Sequence, residues 1–337
     1  MRFTKTLLYL LFFMQLQAQS DIPVFPDLAG DDLLNAIVKD YKPVSILNYG
    51  QARDTLYGRV YNENDTVRCV YSGHALFLPE GVDPSIHLYM NDSSEGINCE
   101  HTYPRSKGAD SGNAFSDMHH LFPTRIRVNA ARASFPFGDI DDSQTTTWYY
   151  LNQAQNNIPT TDIDLYSEVI NGRFEPREQF KGNIARAIFY FFAMYKNEAL
   201  SADPNFFESQ REALCKWHKQ DPVDSLEWER TYMIGEYQND LPNPFILDST
   251  LASRCFCGSA TPVQEAVQSN IRLYPNPVTD RLNITMDGTH TVQVTDVLGR
   301  VFMKKEFSDK LQLNLSSLTD GTYFIVVNES VFRVLKQ

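Results

Sequence analysis

Hydrophobic and polar positions divide the chain into three textures. An apolar run, Leu7 to Met14, follows Arg2 and Lys5 and precedes small or polar residues around Ala18 and Gln19. That order reads as a secretory signal peptide over 1–19, too short to span a bilayer; a buried amphipathic helix is the plainer alternative. Helical periodicity dominates 178–199 and 209–238, where Ile184, Ala187, Ile188, Phe191 and Tyr195 share one face. The aromatic run Phe189-Tyr190-Phe191-Phe192 is therefore core. Asp221-Pro222-Val223-Asp224 reads as a helix start, proline being tolerated in a first turn.

Near residue 260 the texture changes. Residues 259–270 are small and polar, as a linker should be. Beyond them, runs such as Leu282-Asn-Ile-Thr-Met, Thr291-Val-Gln-Val-Thr and Tyr323-Phe-Ile-Val-Val alternate with period two between turn signals. This predicts a small antiparallel β-sandwich over 271–337. It carries no cluster of His, Cys or carboxylates at catalytic spacing, so it reads as a binding or attachment module.

Composition narrows the classes. The 337 residues are 42% hydrophobic and 21% charged, which excludes wholesale disorder and supports a sizeable core. With 30 Lys and Arg against 42 acids the formal charge is −12, a poor prior for nucleic-acid binding unless a basic site is local. Five cysteines (Cys69, Cys99, Cys215, Cys255, Cys257) leave at least one unpaired; one or two disulfides are expected, and Cys255 and Cys257 are too close in sequence to bridge each other.

A local basic site exists. Between His101 and Phe137 lie Arg105, Lys107, Arg125, Arg127 and Arg132 against Asp110 and Asp117, together with His101, His119 and His120. Phosphodiester hydrolysis needs a base near neutral pH, which histidine supplies. It also needs a hard cation held by oxygen ligands, which Glu100 and Asn129 can offer. Adjacent strand residues point to opposite faces, so Glu100 and His101 serve one site only where a strand ends or twists. Arg125 and Arg127 alternate with Ile126 and Val128 and on a strand would share an exposed face, either solvated or along a nucleic-acid path. His119 and His120 could alternatively hold zinc, although no third His or Cys lies at zinc spacing. No GxGxxG, P-loop, Gly-x-Ser-x-Gly or HExxH occurs.

The segments Glu100-His-Thr-Tyr-Pro-Arg-Ser106, Ser116-Asp-Met-His-His-Leu-Phe-Pro123 and Val128-Asn-Ala-Ala-Arg-Ala-Ser134 resemble, in order, the motifs of the bacterial endonuclease I family of secreted nonspecific ββα-metal nucleases. Blocks at 52–58, 174–195 and 214–246 extend the resemblance over roughly residues 35–250. It implies an α+β, predominantly helical nuclease domain over 24–258 with a ββα-metal motif across 95–140. It also implies His101 as general base, Glu100 and Asn129 as ligands of Mg²⁺ (or Mn²⁺ or Ca²⁺), and Arg132 on the scissile phosphate. Asp117, His119 and His120 would orient the site, and Arg105, Arg125 and Arg127 would contact substrate. The implied activity is hydrolysis of DNA, with RNA as a second substrate, leaving 5′-phosphate ends. Asn183 stands where the family usually has Asp, and the usual Asp-His-Pro after Ile246 is replaced by Leu247-Asp248-Ser249.

The tail, through Leu273-Tyr-Pro-Asn-Pro-Val-Thr-Asp280, Val294-Thr-Asp-Val-Leu-Gly-Arg300 and Leu315–Val327, resembles the type A C-terminal sorting domains of the type IX secretion system. That implies export across the outer membrane as a secreted or cell-surface protein, with the export machinery as a partner. No window beyond the signal peptide approaches ~18 consecutive apolar residues, so no transmembrane segment is expected, and a monomer is expected. A carbohydrate-binding sandwich is the competing reading of the tail, and a secreted adhesin on an inactive nuclease scaffold that of the whole.

Overall fold

The computed structural model describes residues 21–90, 95–258, 272–296, 300–327 and 330–337, in two compact units that divide after Gly258. The expected signal peptide and linker lie outside the described residues. Among the described residues no helix is long and apolar enough to cross a membrane.

The first unit opens with α1 (Gly30–Tyr41), α2 (Tyr49–Thr55), β1 (Thr66–Arg68), β2 (Ala75–Phe77) and α3 (Pro84–Met90). Next come β3 (Ile97–His101), α4 (Gly112–Ser116), β4 (Leu121–Arg125) and α5 (Ile126–Arg132). A four-stranded antiparallel sheet follows, made of β5 (Thr147–Tyr150), β6 (Gln153–Gln155), β7 (Ser167–Ile170) and β8 (Arg173–Glu175) in the order β6-β5-β7-β8. Helices α6 (Lys181–Met194), α7 (Lys196–Ala202), α8 (Glu208–Gln220), α9 (Ser225–Gly235) and α10 (Pro244–Leu247) complete it.

Helix α6 is the axis of the core. All its residues but Asn183 are buried, as its nearly continuous apolar sequence requires of a helix covered on every side. Phe192 stacks on Phe207 at 3.9 Å. Gly182 is obligatory there: a Cβ would sit 2.0 Å from the carbonyl oxygen of Asp221. The two long helical segments expected from periodicity are each interrupted, at Tyr195 and between Gln220 and Ser225. Pro222 precedes α9 instead of opening it, and Asp224 caps that helix by accepting from the Glu227 amide at 2.7 Å. The chain is mixed in helix and strand, its described helices all falling in the first unit.

One disulfide, Cys215–Cys257, closes the unit by tying α8 to its last residues; Cys69, Cys99 and Cys255 are free thiols.

The second unit is all-β: β9 (Arg272–Tyr274), β10 (Arg281–Asp296), β11 (Val301–Asn314), β12 (Gly321–Val327) and β13 (Ser330–Lys336). The alternation read from sequence fills its core with Leu282, Ile284, Val292, Val294, Leu313, Ile325 and Val327. The expected two-sheet sandwich is replaced by one antiparallel sheet curled on itself. Strand β10 pairs β9 through Asn283–Thr285 and β12 through Val292–Asp296. Its ladder with β11 slips between Met286 and Thr289, and such irregularities bend a strand.

Candidate active site

Strands β3 and β4 pair antiparallel, with Glu100 opposite Phe122 and His101 opposite Leu121. Helix α5 leaves directly from the end of β4 and folds back over β3. Asn129 Nδ2 donates to Asn98 Oδ1 at 2.8 Å and to the Cys99 carbonyl at 3.3 Å. One turn later Arg132 donates from Nη1 to the His101 carbonyl (3.2 Å) and from Nη2 to the Thr102 carbonyl (2.6 Å). Residues three apart share a helix face, so Asn129 and Arg132 together grip the end of β3.

That end is where Glu100 and His101 converge. Because His101 is the last residue of the strand, the alternation of faces lapses there. Both side chains line one cleft of 460 Å³ with Arg105, Ser106, Asn129 and Arg132. Glu100 is buried; its Oε1 accepts from the Tyr71 hydroxyl at 2.9 Å and lies 3.3 Å from Arg132 Nε, close enough for an ion pair but not aligned as a hydrogen bond. None of these contacts uses Oε2. Burial raises the Glu100 carboxyl to about 6, against the opposing pull of Arg132 and Tyr71. Since the Asn129 amide nitrogen is spent on β3, its oxygen remains as an acceptor. Two oxygen donors of different elements thus border the cleft, the chemistry a hard divalent cation requires.

Helix α4 fixes the imidazoles. A helix end leaves its last carbonyls without intrahelical partners. Here the Phe115 carbonyl accepts from His101 Nε2 (3.0 Å) and the Ala114 carbonyl from His120 Nε2 (2.8 Å). His101 therefore carries its proton on Nε2, and Nδ1 is left as a bare acceptor. Burial, assisted by the neighbouring His120 and Arg105, lowers His101 to about 3, so it is neutral at pH 7. Its ring stacks 5.3 Å from Phe115, which in turn packs 4.3 Å from Tyr49. Cys99 also borders the cleft, but burial pushes its thiol up to about 12, a poor nucleophile at neutral pH.

Several expectations need correcting. Arg132 is 1% exposed and both its terminal nitrogens serve backbone carbonyls. Its guanidinium holds Glu100 and β3 in place instead of reaching for a phosphate. Arg125 ends β4 fully buried and bonds Glu95, whereas Arg127 is exposed on α5 and is not among the cleft's lining residues. The two share no strand face because the strand stops between them. His119 and His120 diverge, His119 Nε2 donating to the Leu241 carbonyl (2.9 Å) and His120 to Ala114. Among the described residues no three His, Cys, Asp or Glu are placed to hold a metal, so the zinc alternative finds no ligand set. Asp117 lies beneath the site as a hub. Its Oδ2 accepts from Tyr190 and Tyr195, both at 2.8 Å, and its Oδ1 from Gln238 (2.8 Å) and the His119 amide (3.0 Å). Arg105 does lie at the cleft, its guanidinium 5.0 Å from the Phe115 ring. Tyr71 and the Phe115 carbonyl were not foreseen, and neither carries a local sequence signal.

Ala133, at the helix end, has φ 50° and ψ −124°, a strained backbone for a residue with a Cβ. Arg132 Nη1 donates to its carbonyl at 3.3 Å, and the turn brings Ser134 Oγ to 2.9 Å from Ser106 Oγ at the cleft wall.

A family model described as Endonuclease I matches residues 32–250, nearly two-thirds of the chain and the whole of this constellation. The chain belongs to the endonuclease I family. A second model, the secretion system C-terminal sorting domain, matches residues 272–337, the all-β unit. The endonuclease I region is similar to the extracellular ribonuclease of Bacillus subtilis strain 168 (30% identical, covering 50% of this chain and 60% of that protein). It is similar also to the extracellular ribonuclease of Bacillus amyloliquefaciens (29%, covering 44% and 50%) and to endonuclease-1 of Buchnera aphidicola (30%, covering 37% and 42%). The chain spans about half the length of the curated relatives it matches. Among solved structures, one of PorZ, a surface component of the type-IX secretion system of Porphyromonas gingivalis, overlaps 24% of this chain and 13% of that one at 20% identity and TM-score 0.19, too low to bear on the fold.

Proposed function

We propose that the cleft at the end of β3 hydrolyses phosphodiester bonds of DNA and RNA in the manner of a ββα-metal nuclease. The observation that carries this reading is the His101 tautomer. With Nε2–H committed to Phe115, Nδ1 is left as a proton acceptor on a residue that lines the same cleft as Glu100 and Asn129. His101 Nδ1 takes the proton of a water placed in line with the scissile P–O bond, and the resulting imidazolium keeps its Nε2–H on the carbonyl. Glu100 and Asn129 would hold Mg²⁺, with Mn²⁺ or Ca²⁺ as substitutes. When bound, that ion supplies charge neutralisation at the phosphorane and leaving oxygen. Arg132 and Tyr71 keep Glu100 ionised and oriented. Arg105 supplies a phosphate contact at the cleft, and cleavage leaves a 5′-phosphate. Phosphate contacts carry no direct sequence information, so base specificity is not expected. Two of the relatives are named as ribonucleases, which supports RNA as a substrate.

The test is nicking of supercoiled plasmid and of single-stranded RNA with Mg²⁺ and with EDTA. Glu100→Ala and Asn129→Ala should lose Mg²⁺-dependent cleavage with the fold intact. Cleavage unchanged by EDTA, or absent from wild type under every divalent ion, would reject the reading; the latter would leave the inactive-scaffold alternative. The C-terminal unit, as a sorting domain, directs export as a secreted or surface-attached protein through the type IX machinery. A chain truncated at Gly258 should then stay inside the outer membrane of a host that exports the full chain.

A further inference from the structure

The cleft has a wall of hydroxyls that the proposed hydrolysis does not use. Ser106 and Ser134 line it beside Arg105, and their Oγ atoms meet at 2.9 Å although 28 positions separate them in the chain. Each stands on a fixed support. Ser106 belongs to the single 3₁₀ turn Arg105–Lys107. Lys107 leaves that turn toward α7, pairing at 2.7 Å with Asp203 just beyond the helix. Gly108, at φ 121°, packs so closely on α7 that a Cβ would sit 2.7 Å from the Glu198 carbonyl oxygen. Arg105 and Ser106 are the residues of the turn left to the cleft. On the other side, Ser134 follows Ala133 with its φ of 50°, and the Phe135 amide closes that turn on the Arg132 carbonyl at 3.1 Å. Backbone strain of this kind persists only where the surroundings enforce it, and it gathers at ligand sites.

A hydroxyl pair has two protons and spends one between its oxygens, so the other is free for a third group. Neither hydroxyl has another hydrogen-bond partner among the described residues. The neighbouring Arg105 is exposed, and its guanidinium contacts the Phe115 ring without a hydrogen bond or ion pair to any described residue. Two carboxylates share the cleft. Glu100 is engaged by Tyr71 and Arg132. Asp110 is exposed, where solvent screens it, and accepts from the Ser111 hydroxyl at 3.2 Å. The wall thus sets a free cation beside an available hydroxyl proton, both reachable from solvent. Arginine and serine are donors that phosphate oxygens of nucleic acids accept from. The scissile phosphate already has His101 and the two oxygen ligands, so these donors are left for a different phosphate.

We propose that Ser106 and Ser134, with Arg105, hold the phosphate adjoining the scissile one, so that the cleft engages consecutive phosphates of one strand. This rests on the reading of the cleft as a phosphodiester-hydrolysing site, and binding without metal keeps the two separable. In EDTA, fluorescence anisotropy of the full chain with a short labelled thymidylate strand should show affinity about tenfold weaker in the Ser106→Ala/Ser134→Ala double variant than in wild type. Both serines reach solvent, so that variant should keep the wild-type circular dichroism. Should it not, Ser134→Ala alone is read in its place, with a several-fold loss expected. In Mg²⁺, the dinucleotide TpT offers a scissile phosphate alone and TpTpT adds a neighbour. Wild type should cleave TpTpT with a KM about tenfold below that for TpT. The double variant should bring that ratio close to one, with kcat on TpTpT changed less than KM. Metal-free affinity unchanged by the substitutions, a KM ratio that survives them, or equal KM for both substrates in wild type overturns the proposal. A wild type that never cleaves, yet binds more tightly than the double variant, rejects the hydrolytic reading and leaves the phosphate subsite standing.

Discussion

The two units of the chain are stabilised by different means. In the C-terminal sheet the buried described side chains are almost all apolar, with Asp296 and Lys336 the charged ones among them. In the endonuclease I unit, Glu100, Asp117, His119, His120, Arg125, Arg132 and Arg186 are all buried, most of them completely. Burying a charge is costly unless it is paired and hydrogen-bonded, and here each is held by named partners. The sheet needs only an alternating pattern, whereas the endonuclease I unit accepts desolvation in order to hold carboxylates and imidazoles in fixed positions. The difference should appear in how each unit responds to loss of one buried side chain.

The largest effect is expected at Asp117. Asp117→Ala removes the acceptor for two tyrosine hydroxyls, a glutamine amide and a backbone amide. Breaking a buried polar hub of this kind costs about 3–5 kcal/mol, read as a fall in the denaturation midpoint of the first unit, with cleavage lost alongside. A change under about 1 kcal/mol would show that Asp117 is not the keystone its contacts imply. His101→Ala comes next and separates chemistry from stability. Turnover on plasmid should drop about 10³-fold, the scale of a lost general base, while Mg²⁺ binding by calorimetry and the unfolding midpoint stay near wild type. Near-normal turnover would remove His101 from the mechanism.

How much could be read beforehand follows the same division. The β-strands of the tail announce themselves because alternation is local, as at Leu282-Asn-Ile-Thr and Tyr323-Phe-Ile-Val. Its closure as one curled sheet was not legible, since which strand pairs which half of β10 is a long-range matter. In the first unit the motif residues Glu100, His101 and Asn129 were found as residues, and the structure brings all three to one cleft. Their supports were not. Tyr71 reaches Glu100 across 29 positions, and the Phe115 carbonyl, a backbone group with no side-chain signature, sets the His101 tautomer. Arg125 and Arg127 were misplaced because a period-two reading ran through Ile126, where the chain turns from strand to helix.

A smaller effect tests the sheet in isolation. Ile325 is fully buried and pairs with Val294 across β10 and β12. Ile325→Ala should cost about 2–4 kcal/mol by transfer and cavity terms, confined to the unfolding of the C-terminal unit and without effect on kcat. Loss of cleavage in that variant would contradict the independence of the two cores.

The smallest effect lies at Glu168, where the endonuclease I unit buries a carboxyl outside the cleft. Burial chiefly, with Glu175 opposite it on β8, raises Glu168 to about 7, although the Thr145 hydroxyl hydrogen-bonded to it pulls the other way. A carboxyl whose folded pKa exceeds its unfolded value binds more protons folded than unfolded, so stability falls as pH rises between the two. For Glu168 that window runs from roughly pH 4.5, the unperturbed value, to about 7. Above it the folded protein carries a partly buried charge that the unfolded chain solvates freely. Glu168→Gln keeps the size and an acceptor for Thr145 but removes the titration. The variant should therefore melt higher than wild type at pH 8 and show little difference at pH 5, by well under ~1 kcal/mol once solvent screening is allowed for. A melting temperature that tracks wild type at both pH values would mean that Glu168 is solvated enough to titrate normally. The contrast between a charge-burying unit and an apolar one would then hold at the cleft and its hub but not beyond them.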